Sequence, residues 1–151
     1  MSGNSWQYLS DKNQARLILT SEHSIKAGLL SGKISRHYNL EENSQRLETQ
    51  VHTKGFASVF SVIALGPAGD DAPFTVTKET VHSNFKGIVF APQDIEAVTI
   101  TKGDAQYTVV IAHKEFASPT DTFTANGCVG FGNVLVFDKA KQDHPGTVLL
   151  Y

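Results

Sequence analysis

The chain has 151 residues, with 13 Lys and Arg against 15 Asp and Glu, a net charge of −2 and a pI near 6.3. That balance argues against a nucleic-acid binder, which carries a basic stripe. The single cysteine, Cys128, excludes an internal disulfide, and no stretch reaches the about 18 apolar residues of a membrane helix.

The opening MSGNSWQYLSDKNQ has neither the basic nor the apolar region of a signal peptide. Residues 1–12 read as an N-terminal arm ahead of one domain, 13–151, long enough to bury its own core. Alternating or short apolar runs rich in Val, Ile, Thr and Phe then mark strands. The first is Ala15–Thr20. Ile25–Leu30 and Lys33–Tyr38 follow, joined across Ser31-Gly32 as a two-residue hairpin turn. Asn39–Ser44 reads as a polar loop, and Arg46–Thr53 alternates as a strand.

Phe56–Leu65 is nearly continuous apolar sequence, the mark of a strand buried on both faces or of one that spans a barrel interior with a bend. Gly66–Pro73 is a turn segment. Phe74–Val81 and Phe85–Phe90 are strands, the second stopped before Pro92. Gln93–Ala97 fits one helical turn, with Asp94 near its start. Ala97–Lys102 and Gln106–His113 form a hairpin across Gly103-Asp104. Thr120–Ala125 and Gly127–Phe137 follow, and Thr147–Tyr151 closes the chain. No long amphipathic helix occurs, so a doubly wound nucleotide fold is not expected.

Residues 51–76 and 123–148 align without a gap, with seven identities in 26 pairs, where average usage gives about 1–2. The shared positions are glycines, turn prolines and apolar residues, such as Gly55 with Gly127 and Pro73 with Pro145. His52 faces Thr124 and Lys54 faces Asn126, so the copies do not share chemistry-bearing groups. The repeat predicts a closed antiparallel β-barrel or tight sandwich of about 8–11 strands, built from two pseudo-twofold-related Greek-key halves. Gly55 and Gly127 would turn the chain into the apolar strands, and Gly130 and Gly132 would mark a bend or a close approach.

The residues name no reaction. Six histidines (His23, His37, His52, His82, His113 and His144) lie outside any HxH or HExxH spacing. Cys128 has no second cysteine at metal distance and opens an apolar strand, where a thiol packs as a small hydrophobe. GxSxG is absent. The acids Asp70, Asp71, Asp104, Asp121, Asp138 and Asp143 are biased to loops, where they bond their own backbone. GPAGDDAP lacks the DxDxDG pattern of a calcium loop. No catalytic, metal or cofactor-binding residue is therefore assigned, and no cofactor is expected. A binding role would fall to the aromatics Trp6, Tyr8, Tyr38, Phe85, Tyr107 and Tyr151. A hollow interior lined by His37, His113 or Asp121 would instead point to an enzyme.

Three stretches resemble the virulence-associated (Vap) proteins of actinobacteria. The first is Val51-His52 with its apolar strand, ending in Gly66-Pro67-Ala68-Gly69. The second is Phe85-Lys86-Gly87-Ile88-Val89-Phe90 followed by Asp94-Ile95. The third is Asp121-Thr122, Val129-Gly130 and Asn133–Asp138. Thr99–Ser118 departs from that pattern as an extra hairpin. The resemblance implies a closed two-Greek-key barrel and an exported, non-enzymatic effector acting at a host membrane or protein surface, with no catalytic residue to carry over. It implies secretion; without it a cytoplasmic chain is the expectation. The alternatives are a carbohydrate- or small-ligand-binding β-module and a small barrel enzyme. Nucleic acid and a transmembrane segment are not expected.

Overall fold

A computed structural model describes residues 4–38, 40–85, 87–114, 122–141 and 148–149. Among them lie thirteen strands and no α-helix, so the all-β expectation holds. In chain order the strands are β1 (Ser5–Leu9), β2 (Asn13–Thr20), β3 (Ile25–His37), β4 (Leu40–Val51), β5 (Phe60–Pro67), β6 (Phe74–Glu79), β7 (Val81–Ser83), β8 (Ile95–Lys102), β9 (Ala105–Ala112), β10 (Phe123–Ala125), β11 (Cys128–Gly130), β12 (Val134–Asp138) and β13 (Val148–Leu149).

They form four antiparallel sheets, in the orders β1-β2-β5, β11-β10-β7, β13-β12-β9-β8-β6 and β3-β4. No sheet among the described residues closes on itself, so the expected closed barrel is not seen. The pseudo-twofold reading meets the same obstacle. The strands of the two repeated segments pair differently: β5 pairs β2, whereas its counterpart β12 pairs β9 and β13, and only β6 of the first segment shares the five-stranded sheet with β12. Their glycines also differ. Gly127 is left-handed at φ 75°, whereas Gly55 has no positive φ.

The five-stranded sheet is central. Period-two alternation sends Ile95, Ala97, Val110, Leu135 and Phe137 to one face, where they pack with Val81, Phe123 and Ala125 of the β7-β10-β11 sheet as the hydrophobic core. Its other face carries Phe74, Val76, Lys78, Glu96, Val98, Ile100 and Lys102, and a set of polar contacts ties the β1-β2-β5 sheet to the central sheet. Arg16 stacks on Phe74 at 5.5 Å and donates to Ala72 O at 2.6 Å. Buried Gln14 donates to Asp70 O. Lys102 donates to Leu65 O at 3.0 Å and pairs with Asp70 at 2.8 Å.

Turn chemistry explains the tight hairpins. The β8–β9 connection is Gly103-Asp104, as expected, with Gly103 at φ 56°. The β10–β11 connection is Asn126-Gly127 with φ 46° and 75°, the two positive values of a type I′ turn. Gly130 is a close-approach glycine: a Cβ there would sit 2.8 Å from Leu135 Cδ1. Gly132 has φ 121° and lies in the break that divides the expected strand Gly127–Phe137 into β11 and β12.

Several other expectations are corrected. The N-terminal arm contains β1, paired with β2 from Ser5↔Ile18 to Leu9↔Gln14. Ser31-Gly32 is not a turn: β3 runs through it, with Ser31 opposite Gln45 and Gly32 opposite Ser44. The supposed loop Asn39–Ser44 thereby belongs mostly to β4, because a ribbon wet on both sides needs no apolar residues to continue. Phe56–Val59 precede β5 as irregular backbone. The described residues of Phe85–Phe90 form no strand; one bridge, His82↔Val89, ties them down. Pro92–Asp94 form a turn closed by Asp94 N–H and Ile95 N–H on Ala91 O, after which β8 begins, so Gln93–Ala97 is not helical. Positions 120–121 of the expected strand Thr120–Ala125, and all but β13 of Thr147–Tyr151, lie outside the described residues.

Candidate functional site

One polar constellation stands out, and it grows from a single acid in an apolar strand. Glu96 lies between Ile95 and Ala97 at the start of β8, and its side chain is only 2% exposed. An unpaired carboxylate there would be costly, so partners are required. Lys78 on β6 supplies a positive charge at 2.6 Å from Oε1. Ser58 Oγ donates to the same oxygen at 2.6 Å, and His113 Nε2 lies 3.0 Å from Oε2. Lys78 also pairs with Glu22 at 2.9 Å and lies 5.6 Å from the Phe60 ring centroid.

Burial pushes the Glu96 carboxyl up. The bonds from Lys78, Ser58 and His113, with the Lys78 charge, outweigh that and hold it below the ordinary glutamate range.

The sheet places these groups economically. Glu96 pairs with Ile111, so His113, two residues beyond, falls on the same face of the sheet. Phe56 tilts against the His113 ring at 5.1 Å between centroids, and His23 Nε2 lies 3.0 Å from Phe56 O. Outside this layer opens a cleft of about 320 Å³, lined among others by Glu22, His23, Thr53, Phe56, Pro92 and Gln93.

Serine, histidine and glutamate are thus close, yet not in nucleophile order. A triad needs the serine on the histidine and the histidine on the acid. Here Ser58 and His113 both bond Glu96, so the serine is linked to the carboxylate and not to a base. The arrangement neutralises a buried charge.

Of the residues singled out in the sequence, His23 lines this cleft and His113 lies beneath it, on Glu96 and Phe56. His37 is exposed near the end of the β3–β4 ribbon, so it does not join His113, and His52 and His82 are also exposed elsewhere. Asp121, His144 and Tyr151 lie outside the described residues. No group of three His, Cys, Asp or Glu among the described residues is arranged to hold a metal. Cys128 packs partly buried against the core, as expected. Trp6 is half-buried, whereas Tyr8, Tyr38 and Phe85 are exposed. Sequence reasoning missed Glu96, Lys78 and Ser58. The available signal was the lone acid in Ile95–Ile100, a run otherwise without charge.

A second feature is the β3–β4 ribbon. Its strands of 13 and 12 residues pair only with each other among the described residues. Leu29, Leu30, Ile34, Tyr38 and Leu40 are all exposed on it. A cleft of about 630 Å³ separates the middle of the ribbon from Tyr8.

Compared with protein-family models, curated proteins and solved structures, the chain matches none.

Proposed function

We propose that this chain is a non-enzymatic interaction protein, in line with the effector role implied by the resemblance to the virulence-associated family, and that it engages a protein surface through the β3–β4 ribbon. The ribbon itself carries the proposal. Thirteen residues extend about 43 Å, and an isolated two-stranded ribbon is marginal in water. Such an element, with five large apolar side chains in solvent, gains stability when a partner covers it. The order of Ser58, Glu96 and His113 supports a non-catalytic reading. The family's closed Greek-key barrel is not needed for it.

The membrane version is less well supported. A membrane-spanning strand alternates apolar and polar residues over about 9–11 positions. One ribbon face does begin that way, with Ile25, Ala27, Leu29, Leu47 and Val51, but Ser31, Lys33, Asn43 and Gln45 interrupt it. Co-sedimentation with anionic vesicles at pH 5 and pH 7 tests that version, and binding that needs the ribbon would favour it over a protein partner.

A second reading, a small-ligand module, is favoured by the 320 Å³ cleft. Its Phe56 and Pro92 offer an apolar wall, and Glu22, Thr53 and Gln93 supply polar groups, a combination that suits a hydroxylated ligand such as a sugar. A glycan array, with Phe56→Ala as control, tests it; a blank array removes the sugar version.

A further inference from the structure

We infer that this protein self-associates into a weak twofold dimer by pairing strand β5 (Phe60–Pro67) with β5 of a second copy. The pairing strand is β5, not the ribbon, and the inference does not depend on the ribbon's role. Strand β5 is the outer strand of the β1-β2-β5 sheet, and no strand among the described residues pairs with its far side. Its eight residues pair with β2 in unbroken register, from Thr20↔Phe60 to Asn13↔Pro67.

Natural edges of this length are blunted by charges, bulges, proline or brevity. Strand β5 has no charged residue of its own and no bulge, and its one proline is the last residue. The charge that reaches its open edge, Lys102 at Leu65 O, leaves Ser61 and Ile63 without a charged group on that edge among the described residues. The other edges are protected. Strand β6 carries Lys78 and Glu79, and both ribbon strands carry several charges. Strands β7 and β11 have three residues each, β13 has two and β1 has five.

The sheet's outer face fits the same conclusion. Successive rows across β1, β2 and β5 are Trp6-Leu17-Ile63 and Tyr8-Ala15-Leu65. Ile63 is 62% exposed and Leu65 73%, and both stand on the strand nearest the open edge. Antiparallel pairing about a twofold centred on Ala64 sets Ile63 opposite the second copy's Leu65, and Leu65 opposite its Ile63. Four exposed apolar side chains then adjoin across one seam of a six-stranded sheet, an isologous contact that closes at two copies. The Leu65 carbonyl points to this open edge, because the β2–β5 ladder bonds run through Lys12/Ala68 and the even-numbered pairs beyond it, and Lys102 Nζ donates to it at 3.0 Å. The pairing therefore uses that oxygen's second lone pair, with Lys102 held by Asp70 beside the seam.

The area sets the strength. An edge of eight residues is about 27 Å long, and such a seam buries well under the about 800 Å² per partner of a stable complex. The dimer is accordingly expected at tens to hundreds of micromolar, a weak complex on the affinity scale.

Sedimentation velocity of the full chain from about 5 to about 500 µM tests this range. The expected result is a rise from the mass of one chain to that of two, abolished in Ile63→Lys and Leu65→Lys, with circular dichroism unchanged. Amide exchange at low and high concentration gives a second readout that needs no variant. Phe60–Leu65 amides should slow at high concentration while ribbon amides do not. A single-chain mass throughout overturns the inference. So does a dimer that survives both lysine variants, or one whose protection appears on the ribbon instead of β5.

Discussion

Ser58 and His113 approach the same carboxylate from different elements, Ser58 at 2.6 Å on one oxygen of Glu96 and His113 at 3.0 Å on the other. This geometry makes Glu96 the hub through which the coil before β5 is fastened to the central sheet, with Lys78 adding a bridge to Glu22.

Replacing the hub should therefore unsettle the fold locally. Glu96→Gln leaves Lys78 with Glu22 alone, and breaking a buried ion pair costs about 3–5 kcal/mol. Because Lys78 keeps its second partner, the expected loss is at the low end, about 3 kcal/mol, read as a lower urea midpoint. Glu96→Leu with Lys78→Met, which removes both charges, should cost less than the sum of its single changes.

The pH dependence has a definite sign. Glu96 is held below its ordinary value in the folded protein, so its contribution is fully present above the unfolded value and is lost as pH falls through the folded one. Asp70 shifts the same way, first through its bond from Lys102 and then through the Ala72 N–H. Urea midpoints should be level near neutrality and fall from about pH 5 downward. The acid-side fall should be shallower in Glu96→Gln than in the unaltered chain.

A turn on the opposite side of the central sheet holds another staple. Asn126 Nδ2 donates to Thr99 Oγ1 at 2.9 Å and to Thr108 Oγ1 at 3.2 Å, while its backbone is left-handed at φ 46°. Asn126→Ala should cost about 2–3 kcal/mol, combining backbone strain with two lost bonds to buried hydroxyls. Asn126→Gly removes the strain but not the loss of bonds, so thermal or chemical denaturation should place it between the two.

Gly130 tests packing. A methyl there meets Leu135 Cδ1 at 2.8 Å and Phe137 Cζ at 3.0 Å, both side chains of the core. Gly130→Ala should destabilise by about 1–3 kcal/mol through overpacking, whereas Gly28→Ala, with nothing within 4 Å, should not.

Local chemistry was legible in the chain, and long-range pairing was not. The Gly103-Asp104 hairpin, the Cys128 packing and the close approach at Gly130 follow from residue type and period. The expected barrel came from a sequence repeat whose copies share turn residues and apolar positions, and those do not specify a pairing partner. Lys54 stands where the second copy has Asn126, the residue that staples the β10–β11 turn to the central sheet. The ribbon was missed because Ser31, Gly32, Asn43 and Ser44 look like turn residues; only pairing across the ribbon makes them strand. Glu96 was missed because its partners Lys78, Ser58 and His113 come from three separate segments.

The ribbon reading is tested most directly by excising residues 29–47 and joining Gly28 to Glu48 through Asn-Gly, the shortest turn that keeps their register. Affinity capture from the native setting, run in parallel with the intact chain, is the measurement. The shortened chain should keep the body's cooperative unfolding and lose a partner held by the intact chain. Retention of every partner by the shortened chain, with the body equally stable, would contradict it.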